Sequence, residues 1–388
     1  MRDLLMGRPP KDLDLIAALP AAELERFGFH RVEPKNAPSI YLRWCESLGK
    51  IEVSLLGSTG FLETDLRRRD FTANAIALSL NGDLLDPLGG QQALRERLLI
   101  PCSDTAFAAD PIRIFRGYRF ETDGWRMAGQ AEVLIRKQGW GELFRKIPME
   151  RFSGEMLKAL SGEEPSRFFR RMAEFGAGEE FLPELFRMTA IPAGPPQYHP
   201  EGNLLTHALL VLDRVAAKSD DVVARFCALF HDLGKLATPP ELYPRHHGHD
   251  VAGFHLARSF CDRLALPVAF RTALIWSNRL HTTANRWEEL RDSTKVSLAE
   301  QAVKGKIAAS LPLIVAADKP GGEGMPGWDE AIRVVRLTTT ELDIDPRLLG
   351  AHPIDGVVPL PPEQRPALIH QKRVEVFREL VRPKNSSS

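Results

Sequence analysis

Apolar residues in the first hundred positions come in short runs. Leu13 to Ala17, Ile51 to Leu56 and Ala75 to Leu80 each span five or six residues between polar, Gly- or Pro-containing stretches. Runs of that length predict strands, with one helical segment near Ala21 to Phe27. Asn81-Gly82 predicts a hairpin turn between Ile76 to Leu80 and Leu84-Leu85. From Asp110 onward the period changes. IRIFRGYRF, AEVLIRK and RFSGEMLKAL place apolar residues three and four apart, which predicts helices. The pattern is thus α+β at the start and helical afterwards. Pro- and Gly-rich stretches at 191–203 and 319–330 interrupt the helical part and mark candidate boundaries. There is no internal repeat, and the terminal Ser-Ser-Ser is expected to be frayed.

Composition refines this picture in three places. A chain of 388 residues is longer than one ordinary core requires, so several modules are expected. With 44% hydrophobic and 26% charged residues the composition is globular, and the net charge of zero argues against a uniformly basic nucleic-acid coat. A local excess exists nonetheless: 13 Lys or Arg against 8 Asp or Glu lie between Pro111 and Arg171, among Phe115, Tyr118, Phe120 and Trp125. That fits either a nucleic-acid surface or an ordinary helical surface with snorkelling arginines. Cys45, Cys102, Cys227 and Cys261 form no CxxC pair and read as buried thiols of a reducing compartment. With no signal-like apolar core near the N-terminus and no run of membrane-spanning length, a cytoplasmic location without membrane partners is expected.

Two groups of residues carry candidate chemistry. In KDLDLIA, Asp12 and Asp14 alternate on a predicted strand, so both carboxylates are expected on one face. Two like charges that close favour a cation between them, and an oxygen-rich site suits Mg²⁺, although a solvated strand edge would show the same pattern. Glu52 in IEVSLL is placed to add a third carboxylate from a neighbouring strand. The stretch LRRRDFTANAIAL crowds Arg67, Arg68 and Arg69 against Asp70. Alone it reads as a solvated helix start. Beside a metal-held triphosphate, Arg68 and Arg69 would neutralise phosphate, with Asp70 and Asn74 orienting them or binding sugar and base. Arg113, Arg116 and Arg119 recur every three residues and share one broad helix face.

The second group is rich in histidine. His207 lies on an amphipathic stretch, and His231-Asp232 ends the apolar run CALF. PRHHGHD with His246, His247 and His249, then His281 and Asp318, follow further on. Imidazole and carboxylate converging in one cavity suit a divalent transition metal; a hydrogen-bonded His-Asp pair without metal is the simpler alternative.

RDLLMGRPPKDLDL, RRDFTANAIAL, LLDPLGGQQAL and DPIRIFRGYRF, in this order, resemble the class II tRNA nucleotidyltransferases and their poly(A) polymerase relatives. HDLGKLATPPELYPRHHGHDVAG resembles the HD-domain metal phosphohydrolases, and in particular the HD domain fused to one bacterial branch of the tRNA nucleotidyltransferases. The resemblance implies an α+β fold: a polymerase-β-like head of mixed sheet and helices (1–105), then an all-α neck (106–190), an HD body (191–325) and a helical tail (326–388). It implies Mg²⁺ on Asp12 and Asp14, with Glu52 as the further catalytic carboxylate. The implied nucleotide-binding set is Arg2, Arg8, Arg68, Arg69, Asp70, Asn74, Asp110, Arg113, Arg116 and Arg119. His207, His231, Asp232 and Asp318 are implied ligands of the HD metal, with His246, His247, His249 and His281 as further candidates for that pocket or a second metal. The implied activity is template-independent addition of C, or CCA, from CTP and ATP to the tRNA acceptor arm. Hydrolysis of 2′,3′-cyclic phosphates or 2′-nucleotides at the HD site is implied beside it.

Three departures from the family pattern set further expectations. A strand and Gly-rich loop usually precede the RD pair, whereas this chain begins Met1-Arg2-Asp3, so weakened nucleotide binding or a start further upstream is expected. Only GSTGFLE separates IEVSLL from TDLRRRD, where full CCA-adding enzymes carry a longer segment; that favours CC addition. The base-reading acids expected after the neck helix are replaced by Ala128 and Gly129; Glu132 and Arg136 read first as a solvated helix pair, with substitution for those acids as the alternative. A phosphohydrolase with an impaired head, a poly(A) polymerase and a tRNA-binding protein without chemistry are the competing readings.

Overall fold

The computed structural model describes residues 1–10, 12–33, 39–56, 62–137, 139–319, 321, 324–352 and 354–381, Asp12 by its backbone alone. The chain divides into two compact units, Met1–Ile147 and Pro148–Ser388. Among the described residues no helix is long and apolar enough to cross a membrane.

The first unit is built on a four-stranded mixed sheet in the order β1-β4-β3-β2, with β1 Asp12–Ala17, β2 His30–Val32, β3 Ile40–Cys45 and β4 Gly49–Leu55. β1 runs parallel to β4, and the other pairings are antiparallel. Alternation along β4 sends Ile51, Val53 and Leu55 toward Leu24 and Tyr41, leaving Lys50, Glu52 and Ser54 on the opposite, polar face. The core under this sheet is small: Leu24, Tyr41 and Val53 are its buried members. Two of the four strands, β2 and β3, are absent from the sequence expectation. Together they bury only Tyr41, although β3, IYLRWC, is apolar at all but one position, so its signal was present in the sequence and was missed. The expected strand Ala75 to Leu80 contracts to Ala77–Leu78, paired with Leu84–Leu85 across the Asn81-Gly82 turn. Ala75 and Ile76 are instead buried after the 3₁₀ turn Thr72–Asn74.

The LLDPLGGQQAL motif fixes that turn. The Asp86 carboxylate accepts from the Gly90 and Gln91 amides at 2.6 and 2.9 Å and so caps the helix Gly90–Arg95. A Cβ on Gly90 would lie 2.2 Å from the Thr72 carbonyl oxygen, so only glycine lets the helix approach the turn that carries Asn74. The helix Ile112–Glu121 buries Ile114, Phe115, Tyr118 and Phe120 and leaves its arginines off that face.

The second unit is helical throughout. Its central helix, Val222–Phe230, is buried from Ala224 to Phe230 on all sides, as expected for a helix apolar around its whole circumference. Phe226 and Phe230 pack on Phe260 and Phe270 with ring centroids 4.8 to 6.3 Å apart. Arg225, the polar exception, is 3% exposed. Its guanidinium donates to the carbonyls of Leu160, Gly162, Ala216 and Ser219 at 2.7 to 3.2 Å. It thereby satisfies the otherwise orphaned ends of the helices Met149–Leu160 and Leu204–Ala216. Those contacts fix the end of the His207 helix against the helix that delivers His231.

Candidate functional site

In the first unit, Asp70 is the hub. It is 6% exposed and accepts from the Phe71 amide at 2.8 Å and from Asn74 Nδ2 at 3.0 Å through the same oxygen, Oδ1. Its other oxygen lies 2.8 Å from Arg116 Nε, an ion pair without hydrogen-bond alignment. Asn74 in turn accepts from Arg2 Nη1 at 3.1 Å, and both Arg2 and Arg119 lie over the Phe120 ring, 4.8 and 4.0 Å from its centre. Arg113 donates to the carbonyls of Arg68, Arg69 and Ala106, and Arg69 donates to the Asn74 carbonyl. Arg2, Arg69, Asp70, Asn74, Arg113, Arg116 and Arg119 therefore form one connected group, although they come from three separate stretches of sequence. Arg68 joins it by its carbonyl only. Asp110 joins it by its carbonyl, which accepts from the Arg113 amide at 3.1 Å, and Arg8 is tied by its amide to the Asp3 carbonyl at 2.8 Å.

On the sheet, β1 and β4 pair Asp12 with Lys50 and Asp14 with Glu52 in parallel register, so Asp14 and Glu52 share the polar face. Glu52 is engaged by Lys50 at 2.9 Å. The Asp12 side chain and residues 57–61, on which the expectations of a carboxylate pair and a short specificity loop rest, lie outside the described residues. Of the expected buried thiols, Cys102, Cys227 and Cys261 are buried, but Cys45 is not: it ends β3 at the open turn of a thinly covered sheet.

The second unit gathers the histidines. His207 Nε2 lies 3.0 Å from Asp318 Oδ1 and 3.6 Å from Asp232 Oδ2; His231 Nε2 lies 3.3 Å from Asp232 Oδ2 and 3.6 Å from Asp318 Oδ1. On the other oxygen of Asp232, His249 Nε2 and His281 Nε2 approach to 3.3 and 3.2 Å. Asp232 thus faces two lobes with its two oxygens. Lys235 Nζ meets Asp232 Oδ2 at 2.7 Å and donates to the Ala193 carbonyl at 2.6 Å.

Tautomer logic gives this cluster its meaning. A carbonyl only accepts, so Nδ1 must carry the proton where His231 meets Ala228 O (2.8 Å), His249 meets His246 O (2.6 Å) and His281 meets Asn278 O (3.0 Å). His207 Nδ1 likewise donates to the Glu201 carboxylate at 2.7 Å. A neutral ring held this way aims its Nε2 lone pair at carboxylate oxygens, an arrangement that is repulsive unless a metal cation, or at His231 a proton, lies between. His207 Nε2, His231 Nε2 and Asp232 Oδ1 are buried with no hydrogen-bond partner, as metal-directed atoms would be. Burial opposes a proton on His231, yet Asp232 and Asp318 outweigh it and hold that imidazolium up to about 10. Burial likewise opposes the charge on Asp232 and Asp318. Lys235 and His231 around Asp232, and His231 and His207 around Asp318, overcome it and keep both carboxylates ionised. The mixed nitrogen and oxygen donor set suits a divalent transition metal.

Of the additional histidines, His249 and His281 belong to the cluster and His246 and His247 do not. His246 uses both ring nitrogens as scaffold, on Thr238 Oγ1 and Pro192 O, and His247 is exposed. Gly234 makes the arrangement possible: a Cβ there would lie 1.8 Å from the His249 carbonyl oxygen, so the glycine of HDLG lets the helix His249–Arg263 come in against Asp232. Sequence reasoning missed Lys235, one turn beyond Asp232, and Glu201, six residues before His207. It also missed Asn285, which donates to Asp318 Oδ2 at 2.6 Å. The Pro- and Gly-rich stretch 191–203, expected as a boundary, folds onto this site through Pro192, Ala193 and Glu201.

Comparisons with known proteins agree with both halves. Residues 45–100 match the poly A polymerase head domain, 134–188 the probable RNA and SrmB-binding site of polymerase A, and 204–317 the HD domain. The chain is 41% identical over 276 residues to the multifunctional CCA protein of Methylococcus capsulatus, covering 69% of this chain and 64% of that protein, just under two thirds of its length. It is 36% identical over 318 residues to the multifunctional CCA protein of Thioalkalivibrio sulfidiphilus, covering 77% of each. The chain belongs to the multifunctional CCA protein family. Among solved structures, the Bacillus stearothermophilus CCA-adding enzyme in complex with CTP shares its fold, with a TM-score of 0.63 and 23% identity over 97% of this chain and 87% of that one. The Thermotoga maritima CCA-adding enzyme complexed with tRNA has a TM-score of 0.60 and 18% identity, covering 98% and 85%. The expected fold class is thereby met, a polymerase-β-like head followed by helices that include an HD domain. The head match begins at residue 45, beyond Asp12 and Asp14, and the HD match begins after Glu201 and ends one residue before Asp318.

Proposed function

We propose that this chain adds nucleotides from CTP and ATP to the 3′ end of tRNA and also hydrolyses phosphoesters at its HD cluster. The family relationship, with 77% of both chains aligned at 36% identity, supports the first activity. The observation that carries it into the residues is the connected group around Asp70. Two arginines flank the Phe120 ring, and Asp70 holds a third, Arg116, so the cationic face is oriented before a triphosphate arrives. Asn74 and Asp70 offer polar contacts to sugar and base beside it. Arg8, Arg68 and Asp110 complete the proposed nucleotide-binding set. Asp12 and Asp14, with Glu52 in register beside Asp14, form the proposed carboxylate site, whose all-oxygen donors suit Mg²⁺. Mg²⁺ held there supplies acidity toward the RNA 3′-hydroxyl and charge compensation for departing pyrophosphate. We assign the head to 1–105, the neck to 106–190, the HD body to 191–325 and the tail to 326–388, with the basic residues between Pro111 and Arg171 proposed to meet the acceptor arm.

At the HD cluster, His207, His231, Asp232 and Asp318 would hold one divalent metal, and Asp232, His249 and His281 offer a second set of ligands. The bound metal supplies Lewis acidity toward water and a phosphoester oxygen. Lys235 keeps Asp232 ionised and oriented, and Asn285 orients one oxygen of Asp318 by donating to it. 2′,3′-Cyclic phosphates and 2′-nucleotides are the substrates we assign to it.

The named activity of the relatives favours the complete CCA triplet, and the seven residues GSTGFLE between IEVSLL and TDLRRRD favour stopping after CC. One experiment tests the reading: incorporation of labelled CTP and ATP into tRNA transcripts ending at the discriminator base, at C and at CC. An Asp12→Ala/Asp14→Ala variant is the control. Two C additions and no A establish CC addition; C and A in sequence establish the triplet; repeated A would favour a poly(A) polymerase. No incorporation overturns the head assignment.

A further inference from the structure

The HD cluster is braced from a segment that precedes the matched HD region. Residues 191–203 double back on themselves: Pro192 bridges Asn203, Ala193 N donates to Gly202 O at 2.9 Å, and Leu204 N donates to Ile191 O at 2.8 Å. Asn203 then caps the His207 helix, its Oδ1 accepting from the Thr206 amide at 2.8 Å. The loop is tied to the cluster at three points. Lys235 donates to Ala193 O, His246 bonds Pro192 O, and Glu201 reaches His207.

Glu201 is the unusual member. One oxygen, Oε1, takes hydrogen bonds from two imidazoles, His207 Nδ1 at 2.7 Å and His199 Nδ1 at 2.9 Å, and the two rings meet edge to face 4.9 Å apart. His199 is itself held: a Cβ on Gly194 would lie 2.3 Å from its Cδ2, so the ring lies flush on the loop backbone. The carboxylate is 15% exposed, and the ring it steers is 3% exposed. We infer that Glu201 is a positioning residue that fixes His207 as an Nε2 ligand of the HD cation, with His199 holding Glu201 in place. The inference rests on the metal reading of the HD cluster. The same three residues offer ligand atoms close enough for a cation of their own. His207 would then have to give up its Nδ1 proton and bridge two cations, whereas donation to Glu201 leaves its Nε2 lone pair facing Asp318 and Asp232, where the other ligands converge. A carboxylate behind a ligating histidine fixes ring orientation and raises ligand basicity, and its loss lowers metal affinity by about 10-fold to 100-fold.

The test is Co²⁺ affinity of the whole chain by competition with a chromophoric chelator, together with ¹⁵N spectra of histidine-labelled protein that report the ring tautomer. Glu201→Ala is expected to bind Co²⁺ about 100-fold more weakly than the unaltered chain and to lose the fixed Nδ1–H tautomer at His207. Glu201→Gln, whose amide oxygen still accepts from Nδ1, is expected to keep the tautomer and lose about tenfold in affinity. It also keeps the test standing where Glu201→Ala fails to fold. Unaltered Co²⁺ affinity and tautomer in these variants would overturn the inference while leaving the metal reading intact. Absence of Co²⁺ binding by the unaltered chain would overturn the metal reading, and the inference with it.

Discussion

The two sites of this chain are organised in opposite ways. In the second unit the clustered residues are buried before anything binds: the side chains of His231, His207 and Asp232 are 0, 3 and 4% exposed, and every imidazole of the cluster has its Nδ1 tied down. In the first unit the acids sit on the polar face of a sheet whose buried core is three residues, and Glu52 keeps 28% of its side chain in solvent, already paired with Lys50. Buried like this, a charge must be compensated by a bound cation and by fixed dipoles, so the HD cluster needs a rigid shell. Asp14 and Glu52 remain partly solvated, and the metal proposed for them would arrive with a triphosphate that brings its own charge. The lesson is that a closed site stores its specificity in the protein, while an open one takes part of its order from the substrate.

The largest expected effect separates the two activities. Asp232→Asn removes the charge that both lobes of the HD cluster share. It should lower 2′,3′-cyclic phosphate hydrolysis by about 10³-fold, equivalent to ~4 kcal/mol, while nucleotide incorporation into tRNA stays unchanged. A parallel fall in incorporation would break the comparison, because the sites would then act as one. Asp70→Asn probes the open site. It keeps the oxygen that accepts from the Phe71 amide but takes the charge from Arg116, and with the Arg116 side chain 45% exposed such a pair contributes about 1 kcal/mol. Steady-state incorporation kinetics should show kcat/KM down by about fivefold, with cyclic phosphate hydrolysis untouched.

How legible each site was in the sequence follows from the same contrast. His207, His231, Asp232 and Asp318 stood out because ionisable residues within apolar helical runs are conspicuous. Their supporting residues did not: Glu201 and Asn285 sit among ordinary polar neighbours, and only the folded distances show what they hold. The arginines of the head were visible as a charge pattern, but their convergence on Asp70 joins residues 2, 70, 74 and 116, which no local period reveals. β2, HRV, is too short and polar to stand out, whereas β3, IYLRWC, carried a strong strand signal that was overlooked. Gly234 of HDLG and Gly90 of PLGG are sites where one backbone must pass close to another, which only the folded distances show.

That last point gives a stability test of the closed site. Gly234→Ala puts a methyl group where the His249 carbonyl stands, and backbone cannot yield as a flexible side chain would. Overpacking of this sort costs about 1–3 kcal/mol. Calorimetry should show a lowered melting transition together with weaker Co²⁺ binding, since the same shift draws His249 away from Asp232. An unchanged melt with normal metal affinity would mean that the shell around the cluster is softer than its burial indicates.

The smallest effect uses cysteines as reporters of the two environments. Burial pushes the thiols of Cys102 and Cys261 up to about 12, and that of Cys227, wholly enclosed, above the usual thiol range. Cys45 goes the other way: Ser47 Oγ at 3.4 Å and the amides of Ser47 and Leu48 favour its thiolate and hold it below that range. Because the thiolate is the nucleophile, alkylation at pH 7.5 should label Cys45 first, with the other three silent until the chain unfolds. The rate at Cys45 should rise with pH and level off before an ordinary thiol would, and Cys45→Ser should abolish the fast phase without altering either activity. A fast thiol at Cys227 or Cys261 in the folded chain would show that the helical unit opens more readily than its burial indicates, reversing the contrast between the two sites.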